Sequence, residues 1–209
     1  MVDLNLSEEE QVEALKKWWK ENGRSMIVGV VLGLGAVFGW QAWNQHQQGV
    51  ADEASARFEQ LSLAVGAGNS ESAAAQAEAL IQDHKGSAYG TFAALELAKI
   101  KLAAGDSAGA ETQLKWAMEN GSENSFRQIA RLRLARLMFG AGRLEEAKVV
   151  LDKAGVDSFQ GEFAELRGDI ARKEGDTDSA RIAYREALDK GVSNASLVQM
   201  KLDDLTPTL

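Results

Sequence analysis

The chain of 209 residues contains no cysteine and one proline, Pro207. The absence of cysteine excludes disulfides and thiolate-rich metal sites, and it leaves the redox compartment open, since a disulfide-free domain is compatible with the periplasm. A chain nearly free of proline and rich in Ala, Leu, Glu, Lys and Gln favours helix throughout, and it disfavours a sandwich of short strands. We therefore predict an all-α protein.

Motifs that carry catalysis are sparse. The two histidines, His46 and His84, have no carboxylate pair at helical spacing, so no metal site is predicted. The segment Gly105–Gly109 matches the nucleophile-elbow pattern, but no histidine follows it, as the chain order of that fold requires. Ser107 is therefore not expected to be a nucleophile. We predict neither an enzyme nor a cofactor.

One long stretch lacks charge. Residues Ser25 to Ala51 contain no Asp, Glu, Lys or Arg. As a helix rising about 1.5 Å per residue, Ser25–Trp43 reaches roughly 28 Å, close to the roughly 30 Å of bilayer hydrocarbon. We predict a single transmembrane helix over residues 25–45. Aromatic belts at its two ends are expected from Trp18, Trp19, Trp40 and Trp43.

The charges that flank this span predict its orientation. Four cations precede it, and Arg57 is the one that follows closely; the four are Lys16, Lys17, Lys20 and Arg24. The positive-inside rule then places residues 1–24 in the cytoplasm and residues 46–209 outside. Ala54-Ser-Ala56 has the form of a cleavage site, but the apolar region is longer than that of a signal peptide, so a retained anchor is favoured.

The segment before the span has its own pattern. Val12, Leu15 and Trp19 recur at spacings of three and four, which predicts a short amphipathic helix within residues 1–24. Ser7–Glu10 has the spacing of a capping box that would start it. An interfacial helix leading into the membrane and a docking helix for a cytosolic partner both fit this pattern.

Glycines recur within the span. Two small-xxx-small units are formed by Gly29, Gly33, Gly35 and Gly39. In lipid such residues let helix backbones approach closely, which makes these four the candidate residues for transmembrane helix packing. The ordinary glycine content of membrane helices gives the same pattern, and pairing of two chains through the anchor stays open.

The region beyond the membrane is acidic and repetitive. After residue 49 it carries 19 basic and 25 acidic residues, a formal charge of −6, so a nucleic-acid partner is not expected. Three glycines, Gly105, Gly142 and Gly175, lie 37 and 33 residues apart. The same residue types recur at fixed distances from each of these glycines. Small residues stand seven positions before it (Ala98, Ala135, Gly168), five after it (Ala110, Ala147, Ala180) and twelve after it (Ala117, Ala154, Ala187), and a large residue stands nine after it (Leu114, Leu151, Tyr184). This resembles the tetratricopeptide repeat, in which paired antiparallel helices cross at small residues.

The glycines set the predicted boundaries of the repeats. Three repeats are expected at about 91–124, 128–161 and 161–194, with a degenerate one at about 52–86 that turns at Gly68. A capping helix at about 194–205 would bury Val198, Leu202 and Leu205 on one face. Asp106, Ser107 and Asp176 are candidate helix N-caps beside the turns. The third repeat departs from the pattern because Arg167 stands where the others have leucine.

In this repeat family the first helix of each pair usually lines a groove. The candidate groove residues are Phe92, Leu95, Lys99 and Leu102 in one repeat and Ile129, Leu132, Arg136 and Phe139 in the next. The third repeat offers Glu162, Glu165, Asp169 and Arg172 instead. The apolar positions either contact a partner or are covered by the N-terminal helices or the capping helix. A two-carboxylate clamp is disfavoured, since it needs asparagine where Lys99 and Arg136 stand.

Three runs resemble the YfgM family of Gram-negative bacteria: Glu10–Gly23, the glycine-rich span with Trp40–Gln47, and Gln199–Leu205. The resemblance implies a single-pass protein of the bacterial inner membrane with a periplasmic repeat domain. It also implies association with the SecYEG translocon and with PpiD, a membrane-anchored periplasmic chaperone.

From this resemblance we expect a non-catalytic, membrane-tethered adaptor that links protein export to chaperones, with client polypeptides as further partners. The alternative is a stress-signalling adaptor that sequesters a cytoplasmic regulator through residues 1–24. A membrane-bound hydrolase would have to use scattered carboxylates, and the sequence gives it no motif.

Overall fold

The computed structural model describes residues 8–155 and 159–205, and all secondary structure in these ranges is helical. The prediction of an all-α fold is therefore confirmed. Nine helices lie within the described residues: α1 (Glu8–Gly66), α2 (Ser70–Asp83), α3 (Ala88–Ala103), α4 (Ser107–Asn120), α5 (Asn124–Gly140), α6 (Leu144–Asp152), α7 (Gln160–Glu174), α8 (Thr177–Lys190) and α9 (Ala195–Asp203).

The chain divides into two units, residues 1–51 and residues 52–209. In the first unit α1 begins at Glu8 and continues without a break through the apolar stretch. The separate amphipathic helix expected before the span is therefore part of one longer helix, because no proline or turn interrupts residues 8–51. Ser7, the expected start of the capping box, lies outside the described residues.

The apolar part of α1 meets the requirements for a membrane span. It is the one helix among the described residues that is long and apolar enough to cross a bilayer, and its side chains are not buried by the rest of the protein. A Cβ atom built on Gly29, Gly33, Gly35 or Gly39 would have open space around it. These four glycines are therefore free of contacts within the described chain.

The second unit is a series of helical hairpins with a repeated turn. Gly68, Gly105, Gly142 and Gly175 have positive φ angles of 71°, 82°, 76° and 83°. In all four turns the next residue donates its backbone N–H to the carbonyl oxygen five residues earlier, as from Asp106 to Lys101 at 2.8 Å. This is the hydrogen bond that closes a helix with a left-handed glycine, so the glycine turns predicted from the sequence are confirmed.

The residue after each turn glycine caps the following helix in three of the four hairpins. Asn69, Asp106 and Asp176 accept hydrogen bonds from backbone N–H groups at 3.1, 2.8 and 3.0 Å. The prediction of Ser107 as an N-cap was wrong, because Asp106 takes that role and Ser107 is the first residue of α4. A cap of this kind stabilises a helix by about 1 kcal/mol.

In the remaining turn Arg143 replaces the capping residue and forms ion pairs instead. Its guanidinium binds Glu111 of α4 at 2.5 Å and Glu146 of α6 at 2.5 Å. Hydrogen bonds from Arg143 and then Lys115 lower the pKa of Glu111 to about 2. The pairs join α4 of one hairpin to α6 of the next.

Small residues at the repeat positions are buried where the helices cross. Ala98, Ala110 and Ala117 are at most 3 % exposed, and Ala135, Ala147, Ala180 and Ala187 are fully buried. Leu114, Leu151 and Tyr184 fill the space between them. These repeat positions, which the sequence indicated, are therefore part of the buried core.

In the third repeat, Arg167 stands at the position where the other two repeats have a buried leucine. Leu97 and Leu134 are fully buried, whereas Arg167 is partly exposed and pairs with Glu186 of α8 at 3.0 Å. The neighbouring Leu166, 3 % exposed, contributes apolar packing here instead. A charged side chain at this position is tolerated because it reaches the surface.

Helix α9 closes the described part of the stack. Asn194 caps it by accepting from the N–H of Leu197 at 3.3 Å. Val198 is fully buried, and Leu202 and Leu205 pack against the same cluster around Tyr184. The predicted apolar face of the last helix is confirmed.

The close approach of α7 to α8 at Gly168 leads to a prediction about packing. A Cβ atom on Gly168 would lie 2.5 Å from Tyr184, whose ring is fully buried and whose hydroxyl donates to Asp169 at 2.8 Å. Gly168→Ala should lower the free energy of unfolding by about 1–3 kcal/mol, because the ring has no room to move. Urea denaturation of the full chain in mild detergent measures this. Gly140→Ala, where a Cβ has open space, is the control and should not destabilise; equal losses in the two variants would contradict the prediction.

Candidate partner-binding cleft

A cleft opens between the hairpin of α3 and α4 and the following helix α5. Its volume is about 700 Å³. Its lining residues are Leu95, Glu96, Ala98, Lys99 and Leu102 of α3, Ser107, Ala110 and Leu114 of α4, and Arg133, Arg136, Leu137, Gly140 and Ala141 at α5. Clefts of roughly 300–1,000 Å³ with mostly apolar lining are typical of binding sites.

The structure brings four of the eight candidate groove residues together in this cleft: Leu95, Lys99, Leu102 and Arg136. Leu95 is 6 % exposed and forms part of the floor, whereas Leu102 is 49 % exposed. An exposed leucine beside a buried one gives an apolar surface that a partner can reach.

The other four candidates have structural contacts. Phe92 packs against Phe58, Tyr89 and Phe126, with ring centroids 4.7 Å apart in the closest pair. Leu132 is 5 % exposed, and Ile129 and Phe139 pack against the same core. Lys173 lies 4.8 Å from the centroid of the Phe139 ring. Packing against other side chains therefore takes up part of the surface of Phe92, Ile129 and Phe139 and nearly all of that of Leu132.

Apart from Arg136, sequence reasoning missed the part of the cleft that α5 and α4 supply. Arg133, Arg136, Leu137 and Gly140 line it together because they lie at i, i+3, i+4 and i+7 on one face of α5. That spacing is visible in the sequence and would have identified the stripe. Leu114 was recognised only as a packing residue, since its place at the cleft depends on how neighbouring hairpins meet.

The rim of the cleft is basic. Lys99 lies 3.4 Å from Glu96, its neighbour on α3, and Arg136 lies 4.0 Å from Glu165 of α7. Arg133 is exposed and has no ion-pair partner among the described residues. Three cations therefore surround an apolar floor with one carboxylate, Glu96, at the rim. This local excess of positive charge contrasts with the acidic domain around it.

The acidic groove positions of the third repeat form hydrogen bonds with α9 and with the segment just before it. Lys201 of α9 binds Glu165 at 2.8 Å and Asp169 at 2.8 and 2.9 Å. Burial alone would lower the pKa of Lys201, but the hydrogen bonds to Asp169 and Glu165 outweigh it and raise that pKa. The backbone N–H of Ser193 donates to Glu162 at 3.1 Å. Arg172, the fourth position, is exposed.

The capping segment therefore covers the third repeat's acids and leaves the cleft between the first two repeats open. Leu132 is buried, and Phe92, Ile129 and Phe139 are half-buried against neighbouring side chains. Accessibility holds for Lys99, Leu102 and Arg136.

No arrangement for metal binding or nucleophilic chemistry is apparent in residues 8–155 and 159–205. No group of three or more His, Asp and Glu side chains there could hold a metal ion. Ser107 begins α4, whereas His84 is buried at the end of α2. Several ion pairs of the described residues instead connect one helix to another, as between Lys148 and Glu174 and between Lys201 and Glu165.

These features define a tetratricopeptide-repeat-like solenoid with one N-terminal helix long and apolar enough to cross a membrane. A family model described as a tetratricopeptide repeat-like domain matches residues 16–207. Two proteins named ancillary SecYEG translocon subunit are similar to the chain along nearly their whole length. The one from Haemophilus influenzae is 33% identical over 202 residues, covering 96% of this chain and 98% of the relative.

The one from Escherichia coli is 33% identical over 207 residues, covering 98% and 100%. A third, from Aggregatibacter actinomycetemcomitans, is 44% identical over 55 residues, covering 26% of this chain and 27% of the relative. The chain belongs to this family of tetratricopeptide-repeat-like proteins, the YfgM family, which confirms the resemblance read from the sequence.

The link between α9 and α7 makes a prediction about stability. Lys201→Met keeps most of the apolar stem but leaves Glu165 and Asp169, which are 12% and 22% exposed, without their cation. The free energy of unfolding should fall by about 1–3 kcal/mol, because partly buried carboxylates lose a charged hydrogen-bond donor. Urea denaturation of the full chain in detergent measures the change. The control is Lys85→Met at an exposed turn lysine; a Lys201 variant as stable as this control would contradict the assignment.

Proposed function

We propose that the protein is a non-catalytic adaptor that is tethered to the bacterial inner membrane, associates with the Sec translocon and holds a partner polypeptide on its repeat domain. The observation that carries the proposal is the open cleft of about 700 Å³ with an apolar floor and an exposed leucine, Leu102. Support for the translocon comes from full-length relatives that bear the name ancillary SecYEG translocon subunit.

In this proposal residues 1–24 lie in the cytoplasm, residues 25–45 span the membrane and residues 46–209 lie in the periplasm. The support is the charge distribution, with four cations shortly before the span and Arg57 shortly after it. The repeat domain is then on the side where exported chains emerge and where a membrane-anchored chaperone of the PpiD type would meet it.

A non-catalytic role is supported by where the perturbed ionisable groups lie. The carboxylates with lowered pKa are Glu111, Glu146, Glu162 and Asp176. Glu111 and Glu146 form ion pairs, Asp176 caps α8, and Glu162 accepts hydrogen bonds from Ser193. Tyr184 has a raised pKa because it is buried beneath α7 and α9 and donates to Asp169. Such groups stabilise the stack and do not converge on the cleft.

Tethering makes a weak cleft useful. A domain held next to its target by a short segment meets it at an effective concentration of up to about millimolar. A contact with a dissociation constant of that order is then substantially occupied, while the partner still leaves quickly. An adaptor that hands exported chains to chaperones needs both properties.

Site-specific photo-crosslinking tests the cleft. A photoreactive residue in place of Leu102, in the full chain within intact membranes, should capture a polypeptide, because this side chain is exposed at the cleft. The matched control is Ile182 of α8, which is 67 % exposed and lies outside the cleft. Capture of lipid alone from position 102, or equal capture from both positions, would argue against the adaptor role. Leu95 and Leu132 are poor positions for the probe, since both are buried.

The glycines of the span test lateral docking. Gly33→Leu with Gly35→Leu fills open space on α1 and should reduce co-purification of the translocon, because helix backbones in lipid pack closely at small residues. The control replaces Val30 and Val31 by leucine, which adds bulk without removing a glycine. Unchanged recovery with the glycine variant would mean that the span acts as an anchor alone.

A further inference from the structure

The cleft combines two chemistries in one place. Leu95, Leu102, Leu114 and Leu137 give it an apolar lining, and Lys99, Arg133 and Arg136 place positive charge at its edge. The repeat domain as a whole is acidic, with 25 acidic against 19 basic residues after residue 49. Three cations at one opening of an acidic domain attract an anion to that opening.

The cations are available to a partner. Lys99 has 67% of its side chain exposed, and Arg136 has 49%. The contacts they make, with Glu96 at 3.4 Å and Glu165 at 4.0 Å, are at the long end of ion-pair distances, and Glu165 is already bound by Lys201 at 2.8 Å. Arg133 makes no ion pair within residues 8–155 and 159–205. A carboxylate brought to this rim would meet guanidinium groups able to bind it with paired hydrogen bonds.

The rim also holds a carboxylate and a hydroxyl. Glu96 and Ser107 lie at the cleft beside the cations. The Glu96 side chain is 30% exposed and accepts a hydrogen bond from Lys99 at 3.4 Å, so it can accept a further one from an occupant. A polypeptide supplies N–H donors through its backbone amides, negative charge through acidic side chains and apolar side chains for the floor of the cleft.

We infer that the cleft binds an acidic-apolar polypeptide segment, one that carries a bulky apolar side chain with carboxylates within a few residues of it. This rests on the proposed adaptor function and specifies its partner. The apolar side chain enters between Leu102 and Leu137, and the carboxylates contact Arg133 and Arg136 at the rim. Cationic segments are rejected by the same charges.

Peptide binding to the full chain in detergent micelles tests this. The labelled probe has a central leucine flanked by glutamates, and its comparison peptides have glutamine or lysine for glutamate, or alanine for leucine. Fluorescence anisotropy should show that the glutamate–leucine peptide binds about tenfold more tightly than the glutamine peptide, as two modest charge contacts provide. Added salt should remove most of this difference.

Matched variants locate the contact. Arg133→Gln with Arg136→Gln should weaken the glutamate–leucine peptide about tenfold and leave the glutamine peptide unchanged. The control is Arg185→Gln, an exposed arginine of α8 outside the cleft. Unchanged thermal melting of each variant by circular dichroism establishes that the fold is kept. Leu102→Asp is an independent variant that should weaken both peptides.

The outcomes separate this inference from the adaptor role. Equal binding of the glutamate and glutamine peptides, with crosslinks from position 102 retained, would overturn the acidic preference and leave the adaptor role intact. No peptide binding and no polypeptide crosslink would overturn both. Binding of vesicles of phosphatidylglycerol that is lost in the Arg133→Gln, Arg136→Gln variant, with no peptide binding, would instead identify the cleft as a lipid site and overturn the inference.

Discussion

The structure depends on how closely two helices of a hairpin can approach at their crossing. Alanine or glycine stands at that crossing in every clear repeat, and Gly168 shows how little room there is, since a single added carbon would overlap the ring of Tyr184. Small residues at a crossing let the helices pack closely, and such residues recur at matching positions along the chain. The cleft is a consequence, because it forms where one hairpin meets the first helix of the next.

The glycine turns join the two helices of each hairpin in the same way in every repeat. Each glycine ends a helix in the left-handed conformation, and the next residue then caps the following helix, so two helix ends are satisfied within a few residues. Arg143 is the exception, and its ion pairs with Glu111 and Glu146 replace the cap with a link between hairpins. Because α4 supplies the floor of the cleft at Ala110 and Leu114, that link also fixes one wall relative to the other.

The sequence predicted what is periodic and local. Turn glycines, small crossing residues and the buried face of α9 all follow from spacing within one or two helices, and all are present. The cleft was only half predicted. Leu95, Lys99, Leu102 and Arg136 were identified, but Arg133 and Leu137 were not, because the family's groove positions describe one helix and the cleft is formed by three.

Contacts distant in sequence were the least predictable. Lys201 neutralises Asp169 across 32 residues, and nothing in either local pattern indicates that pairing. The uninterrupted α1 was missed for a different reason. Polarity changes along residues 8–51 suggested separate elements, yet a change in polarity does not break a helix when no proline or turn residue accompanies it.

The distribution of charge along the stack gives the repeats unequal roles. In the third repeat Lys201 of α9 binds Glu165, and Ser193, just before α9, donates to Glu162. The carboxylates of this repeat therefore hold α9 in place. Lys99 and Arg136 at the cleft rim have only longer contacts, 3.4 Å to Glu96 and 4.0 Å to Glu165. The carboxylates of the third repeat therefore bind residues in and before α9, whereas the cations at the cleft rim are exposed. In the proposed function the tether supplies proximity without selectivity, so we expect selectivity among partner chains to come from this charged rim and the apolar floor beneath it.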